Sequence, residues 1–138
     1  MIVTESIELQ TKGHGDVIDL TSRVAEIVVQ SKLKDGIVTV FVTGSTAGIT
    51  TIEFEPNLVA DFNEMFQKLA PEGVSYHHDN TWGDRNGYAH VRASILGASL
   101  VIPFSDGKLA LGTWQQVVLV DFDERPRQRK VIVQAMGE

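Results

Sequence analysis

From Ser99 onward the chain is a series of short apolar, β-branched runs cut by turn residues. Runs at residues 99–104, 108–111, 114–122 and 129–136 are separated by Asp106-Gly107, by Gly112 and by a basic segment containing Pro126. Segments of this length bounded by Asp-Gly or Gly read as strands joined by tight turns, because glycine takes the positive φ such turns need. An antiparallel C-terminal β-meander is expected, and with it a fold dominated by sheet in this half.

The N-terminal half mixes two periods. Val3, Glu5, Ile7 and Leu9 alternate loosely, as in a strand. After Gly13 and Gly15, the residues Val17, Leu20, Val24, Ile27 and Val28 fall on one helical face, with Asp16 or Asp19 available to cap the start and Asp35-Gly36 to stop it. Residues 37–42 (IVTVFV) form a buried strand and residues 49–54 (ITTIEF) the strand adjoining it. Pro56 suits the first turn of a second helix, whose stripe is Leu58, Phe62, Met65, Phe66 and Leu69 and whose end is marked by Pro71 and Gly73. That helix is expected to cover one face of the sheet. Tyr88, Val91, Ile95 and Leu96 keep helical spacing up to Gly97, which predicts a shorter helix. At 138 residues the whole chain, 1–138, reads as a single compact domain. Its class is α+β, rich in antiparallel sheet, with two main helices.

Composition narrows the function. The chain has no cysteine, so any metal must sit on His, Asp or Glu, and nothing points to an oxidising compartment. A net charge of −6 argues against broad binding to nucleic acid or to anionic membranes. The opening MIVTESIELQ lacks the pattern of a secretory signal, and no apolar run has the length of a membrane span. A cytoplasmic location is the expectation. Charge is uneven, however: ERPRQRK at 124–130 has four basic residues and one acidic, leaving 8 basic and 17 acidic elsewhere. This patch is either a solvated turn or a contact for phosphate or carboxylate, with Arg127 at its centre.

Candidate chemistry concentrates in residues 76–90 (YHHDNTWGDRNGYAH), which contain His77, His78 and His90 beside Asp79, Asp84, Asn86, Trp82 and Tyr88. Imidazoles serve as proton donors, proton acceptors or metal ligands near neutral pH, and a neighbouring carboxylate fixes their tautomer. His78 and His90 flank this loop, so a chain reversal brings both rings to one pocket. Ordinary surface histidines remain the alternative. Glu53 shares a strand face with Thr51 and Ile49; it is either a partly buried acid/base group or an exposed strand-end carboxylate beside Glu55. Gly44-Ser45-Thr46-Ala47-Gly48 offers hydroxyls and backbone N–H groups suited to an anion, or simply a tight turn. Gln115 either hydrogen-bonds a ligand or satisfies a buried carbonyl.

Taken together, STAGI at 45–49, Glu53, Tyr76-x-His78, Ala89-His90, Leu96-Gly97, Asp106-Gly107, Leu111-Gly112-Thr113-Trp114-Gln115, Arg127-x-Arg129 and Gly137-Glu138 resemble the YjbQ family over almost the whole chain. The resemblance implies a compact α+β fold, a homotrimer and a secondary thiamine-phosphate synthase activity. It also implies that Glu53, His78 and His90 are the polar catalytic groups, with Asp84, Asn86 and Gln115 as their companions; Ser45, Thr46, Trp82 and Arg127 are the further candidates for binding the ligand. The family often has Pro-His before Thr-Ala-Gly, where this chain has Thr43 and Gly44, and Asn-Glu where it has Ile52-Glu53. A three-imidazole metal site is therefore incomplete here: His78 and His90 supply two ligands, and either Asp84, Glu53 or water completes the shell or the site binds an anion or organic ligand without metal.

The reaction so implied joins a pyrimidine-methyl diphosphate to a thiazole phosphate and releases pyrophosphate, making the protein a transferase. Stabilising the departing oxygens calls for Mg²⁺ or for cations among Arg85, Arg92, Arg127 and Arg129, while Trp82 or Tyr88 stacks on the pyrimidine. Two alternatives stay open. One is a hydrolase in which a divalent metal on His78 and His90 activates water against a phosphorylated small molecule. The other is a non-catalytic trimeric protein that binds a phosphorylated metabolite.

Overall fold

The computed structural model describes residues 1–138. Its elements are β1 (Ile2–Gln10), β2 (Asp16–Asp19), α1 (Thr21–Ser31), β3 (Gly36–Thr43), β4 (Ala47–Ile52), α2 (Pro56–Leu69), α3 (Asp79–Trp82), α4 (Gly87–Leu96), β5 (Ser99–Ser105), β6 (Lys108–Leu109), β7 (Gln116–Asp121) and β8 (Gln128–Gly137). They form an α+β fold with two antiparallel sheets, a larger one in the order β1-β8-β3-β5-β6 and a smaller one in the order β2-β7-β4. No helix is long and apolar enough to cross a membrane.

The layers follow from where the apolar residues fall. Val38, Val40 and Val42 of β3, Val131 and Val133 of β8, and Ile102 and Phe104 of β5 alternate onto one face of the larger sheet. That face packs on Ala47 and Ile49 of β4 and on Val117 and Leu119 of β7, with Leu20, Val24 and Val28 of the α1 region completing the core. The other face of β7 presents Val118 and Val120, which with Phe122 lie under Phe66 of α2 and Tyr88, Ala89 and Ala93 of α4. The Phe66 ring meets Phe62 edge-on at 5.0 Å and Phe122 at 4.9 Å.

The strands after Ser99 occur where expected, but their pairing departs from a meander. Only β5 and β6 pair as consecutive neighbours, whereas β7 lies between β2 and β4, and β8 between β1 and β3. The reason is that β7 is apolar on both faces and needs cover on both, which the middle position of the three-layer arrangement provides. Likewise β3 and β4 adjoin in sequence but belong to different sheets.

Smaller differences have local causes. Val17 belongs to β2, paired with Val120, rather than to the first helix. Helix α1 starts at Thr21, whose N–H and hydroxyl both donate to Asp19 Oδ1, and it ends at Lys32 in the left-handed conformation, before Asp35-Gly36. Pro56 opens α2 as expected, and the Glu55 carboxylate caps it by accepting from the N–H groups of Asn57 and Leu58. Met65 and Leu69 of the expected α2 stripe are exposed, as are Val91 and Ile95 of α4. Helix α4 turns Tyr88, Ala89, Arg92 and Ala93 inward instead, since Arg92 donates to Ala70 O and to Gln67 Oε1 on α2.

Candidate functional site

Where the chain passes from β3 to β4, residues Gly44, Ser45 and Thr46 form one wall of a polar cleft of about 440 Å³. This falls within the size range of small-molecule sites. The opposite wall is the 78–90 segment, with His78 leading into α3, Trp82 at its end, Asp84 and Asn86 before α4, and His90 in the first turn of α4. The floor comes from Asp123 after β7 and from Arg127 and Arg129 at the start of β8. What holds α4 against β4 is a close backbone approach: a Cβ on Gly48 would come within 2.7 Å of Gly97 O.

The two imidazoles are neighbours, their ring centroids 4.4 Å apart and their planes tilted by 40°. His78 Nδ1 lies 3.5 Å from Asp84 Oδ1, a charge proximity rather than an aligned hydrogen bond. Burial, and then the adjacent His78, pull the His90 pKa below its ordinary value, against the opposing pull of Asp123 and Asp84. His90 is therefore neutral at pH 7.

Beneath them runs a buried ionic network. Arg129 grips Asp121 through Nε to Oδ2 at 2.7 Å and Nη2 to Oδ1 at 2.8 Å, and also donates from Nη2 to Thr46 Oγ1 at 2.6 Å. Asp121 further accepts from Thr11 Oγ1. Asp123 accepts from Thr46 Oγ1, Arg127 Nε and Asn86 Nδ2 at 2.9, 2.9 and 3.3 Å. Burial pushes the Asp123 pKa up, but the bonds from Thr46, the Glu124 N–H, Asn86 and Arg127 outweigh it, and the carboxyl stays below its usual range. Asn86 Oδ1 is buried at the cleft with no partner, an acceptor free for a ligand.

The structure thus brings together Ser45, Thr46, His78, Trp82, Asp84, Asn86, His90 and Arg127, and separates the rest. Glu53 is exposed just past the end of β4, and Gln115 sits at the same end, donating to Thr51 Oγ1. Neither lines the cleft: the six residues of β4 separate Thr46 from Glu53, about 20 Å of extended chain. Tyr88 is not a cleft aromatic: it is buried in the core, with the Arg92 guanidinium 5.0 Å from its ring centre. Arg92 is buried against α2, and Arg85 is exposed along a separate groove, so neither lines the cleft. Asp121 and Asp123 were not among the sequence candidates, although their signal was present: two carboxylates two residues apart at the end of an apolar strand, matched by Arg127 and Arg129 at the same interval.

No three His, Asp or Glu side chains converge as a metal-binding group. His78 and His90 offer two nitrogens, fewer than the three protein ligands of a catalytic zinc site. Mg²⁺, which binds through one or two carboxylates and substrate phosphates, makes a smaller demand on the protein.

These features define a class, a two-sheet α+β domain with a histidine- and arginine-lined polar cleft beside its smaller sheet. The family model described as UPF0047 protein YjbQ-like matches residues 5–138, and the chain belongs to this family. It is 40% identical over 130 residues to a UPF0047 protein of Archaeoglobus fulgidus, covering 94% of this chain and 98% of the relative. A UPF0047 protein of Methanothermobacter thermautotrophicus is 34% identical over 137 residues, covering 99% and 94%. Among solved structures, a YbjQ-like protein of unknown function from Sulfolobus solfataricus superposes with a TM-score of 0.94 at 34% identity, over 100% of this chain and 99% of that one. A hypothetical protein from Aeropyrum pernix gives 0.91 at 34% identity, over 99% of each chain.

Proposed function

We propose that the cleft binds a phosphorylated small molecule and acts as a thiamine-phosphate-synthase-like transferase. The observation that carries this reading is that a paired His78 and His90 line the same open cleft as Arg127 and Arg129. In the reaction, the ring nitrogen of a thiazole phosphate forms a bond to the methylene carbon of a pyrimidine-methyl diphosphate. The carbon–oxygen bond breaks, and pyrophosphate leaves with the electron pair. Charge develops on the leaving oxygens, so donors aimed there accelerate the step. Arg127 has its distal nitrogens uncommitted, and an imidazole N–H of His78 or His90 donates to the same oxygens. Trp82 at the rim offers a face to the pyrimidine, and Asn86 Oδ1 an acceptor to a ring amino group. A divalent ion entering with the diphosphate adds further charge neutralisation.

The same proposal includes a homotrimer working in the cytoplasm. Support for self-association comes from the outer face of the larger sheet, where Ile2, Ile37, Phe41, Val101 and Met136 are all more than 40% exposed. The strand register places Ile2, Met136, Ile37 and Pro103 in one row and Ile132 beside Phe41 in another, with Thr4, Gln134, Thr39 and Val101 in the row between them.

The test is product formation from both precursors with Mg²⁺. Wild type should exceed the His78→Gln, His90→Gln double variant by about 10²- to 10⁴-fold. Equal rates in the two proteins would overturn the transferase reading, and saturable binding without turnover would instead favour a metabolite-binding role.

A further inference from the structure

We infer that Arg129, through Nη1, is the anchor for a phosphoryl oxygen at the floor of the cleft, and that Gly44 is the residue that leaves this nitrogen open. This rests on the cleft being the phosphoryl-binding site and adds which group holds the anion and what controls access to it.

An arginine has five N–H donors in a rigid plane. In Arg129 three are committed: Nε and one Nη2 hydrogen to Asp121, the other Nη2 hydrogen to Thr46 Oγ1. Nη1 has no hydrogen bond within the chain, although the side chain is only 8% exposed and lines the cleft. Nη1 is not one of the sealed, partnerless polar atoms of the interior, so it opens onto the cleft rather than being shut away from it. Nη1 therefore keeps two N–H groups for a ligand at the bottom of a polar cleft.

Access to those hydrogens runs past residue 44. Gly44 has a φ of +132°, a conformation that side chains with a Cβ rarely adopt, and a Cβ built there would lie 2.9 Å from Arg129 Nη1. A flexible arginine would swing away from such a contact. This one is held in the plane of Asp121, a carboxylate with no exposure, so it has little freedom to yield. Any side chain at 44 would therefore sit on Nη1 and cap it.

The chemistry of the floor selects the guest. Asp121 and Asp123 offset the charge of Arg129 and Arg127, so selection rests on the geometry of the free donors rather than on net charge. A phosphate monoester or diphosphate terminus presents three oxygens at tetrahedral angles, where a carboxylate presents two in one plane. One can take Nη1 of Arg129 while another takes the free distal nitrogens of Arg127, two residues earlier on the chain. The ligand class is accordingly a terminal phosphoryl group, with the organic portion extending toward His78, His90 and Trp82.

The experiment uses inorganic pyrophosphate as the probe on the full chain. Calorimetry measures affinity for wild type, Gly44→Ala and Arg129→Lys, while side-chain ¹⁵N–¹H spectra of wild type follow the arginine resonances during the titration. The expected result is a shift of the Arg129 guanidinium signals at saturation, with affinity weakened about tenfold or more in each variant, as loss of one charge-assisted hydrogen bond implies. The spectra need no variant, so a misfolded Gly44→Ala protein does not leave the question open. If pyrophosphate binds and moves Arg127 and the histidines but leaves Arg129 unchanged, the inference is overturned and the cleft keeps its assignment. If wild type shows no saturable binding, the phosphoryl-site reading fails and takes the inference with it.

Discussion

His78 and His90 stand with their ring centres 4.4 Å apart, so charge on His78 opposes protonation of His90. For His90 this adds to the larger effect of burial, and its folded pKa lies below the ordinary 6.5. The unfolded chain therefore binds more protons than the folded one as pH falls from 6.5 toward the folded value, and stability declines over that window and levels off below it. Asp123 acts in a separate, more acid window: its contribution is present above its unfolded value of 3.8 and is lost as pH falls through the lower folded value. Denaturant unfolding of wild type at a series of pH values should show the first decline, and His90→Gln should flatten it. Parallel profiles for the two proteins would contradict this assignment.

Arg129 and Arg127 differ in burial, and their removal should differ accordingly. Arg129→Met strands the fully buried Asp121 and is expected to destabilise the fold by about 3–5 kcal/mol. Arg127 is one-third exposed, and its partner Asp123 retains Thr46, Asn86 and the Glu124 N–H, so Arg127→Met should cost about 1 kcal/mol or less. Urea denaturation of the two variants gives the comparison; equal losses would mean that burial of the pair is not what sets the difference.

Phe41 is 42% exposed at the middle of the outer face of the larger sheet. If that face joins subunits, Phe41→Glu places a charge in an apolar contact, and sedimentation at low micromolar concentration should show the trimer replaced by monomer with the circular dichroism spectrum unchanged. A wild-type monomer would remove the trimer from the proposal.

Trp82 is 77% exposed at the rim of the cleft, in the one-turn helix α3. Its removal should leave stability within about 0.5 kcal/mol of wild type. A stacking partner for an aromatic substrate contributes about 0.5–1.5 kcal/mol, so Trp82→Ala should raise KM roughly threefold to tenfold. An unchanged KM would exclude stacking at this residue.

Much of the local architecture was legible in the order of residues. The alternation in β3, the β-branched composition of β5 and β8 and the proline at the start of α2 each act within a few neighbours, through φ preferences and side-chain period. The His78 and His90 pairing was legible too, as a loop flanked by imidazoles. Three placements were not legible for one reason, that a partner distant in the chain decided them. Val17 is in a strand because β7 was there to pair with it. Tyr88 and Arg92 face the core because α2 lies over α4. Glu53 and the histidines lie apart because β4 runs extended between them.

By itself, then, the sequence determined the α+β class, the approximate positions of the strands and main helices, and the residues from which a polar site is made. Tertiary structure alone decided which strands pair, and it created the buried network of Asp121, Asp123, Arg127 and Arg129 with Thr46 that forms the floor of the cleft. The physical reason is the range of the forces concerned. Period and backbone preference act along a few residues of chain, whereas burial of both faces of β7 and neutralisation of a buried carboxylate depend on whatever long-range packing brings alongside.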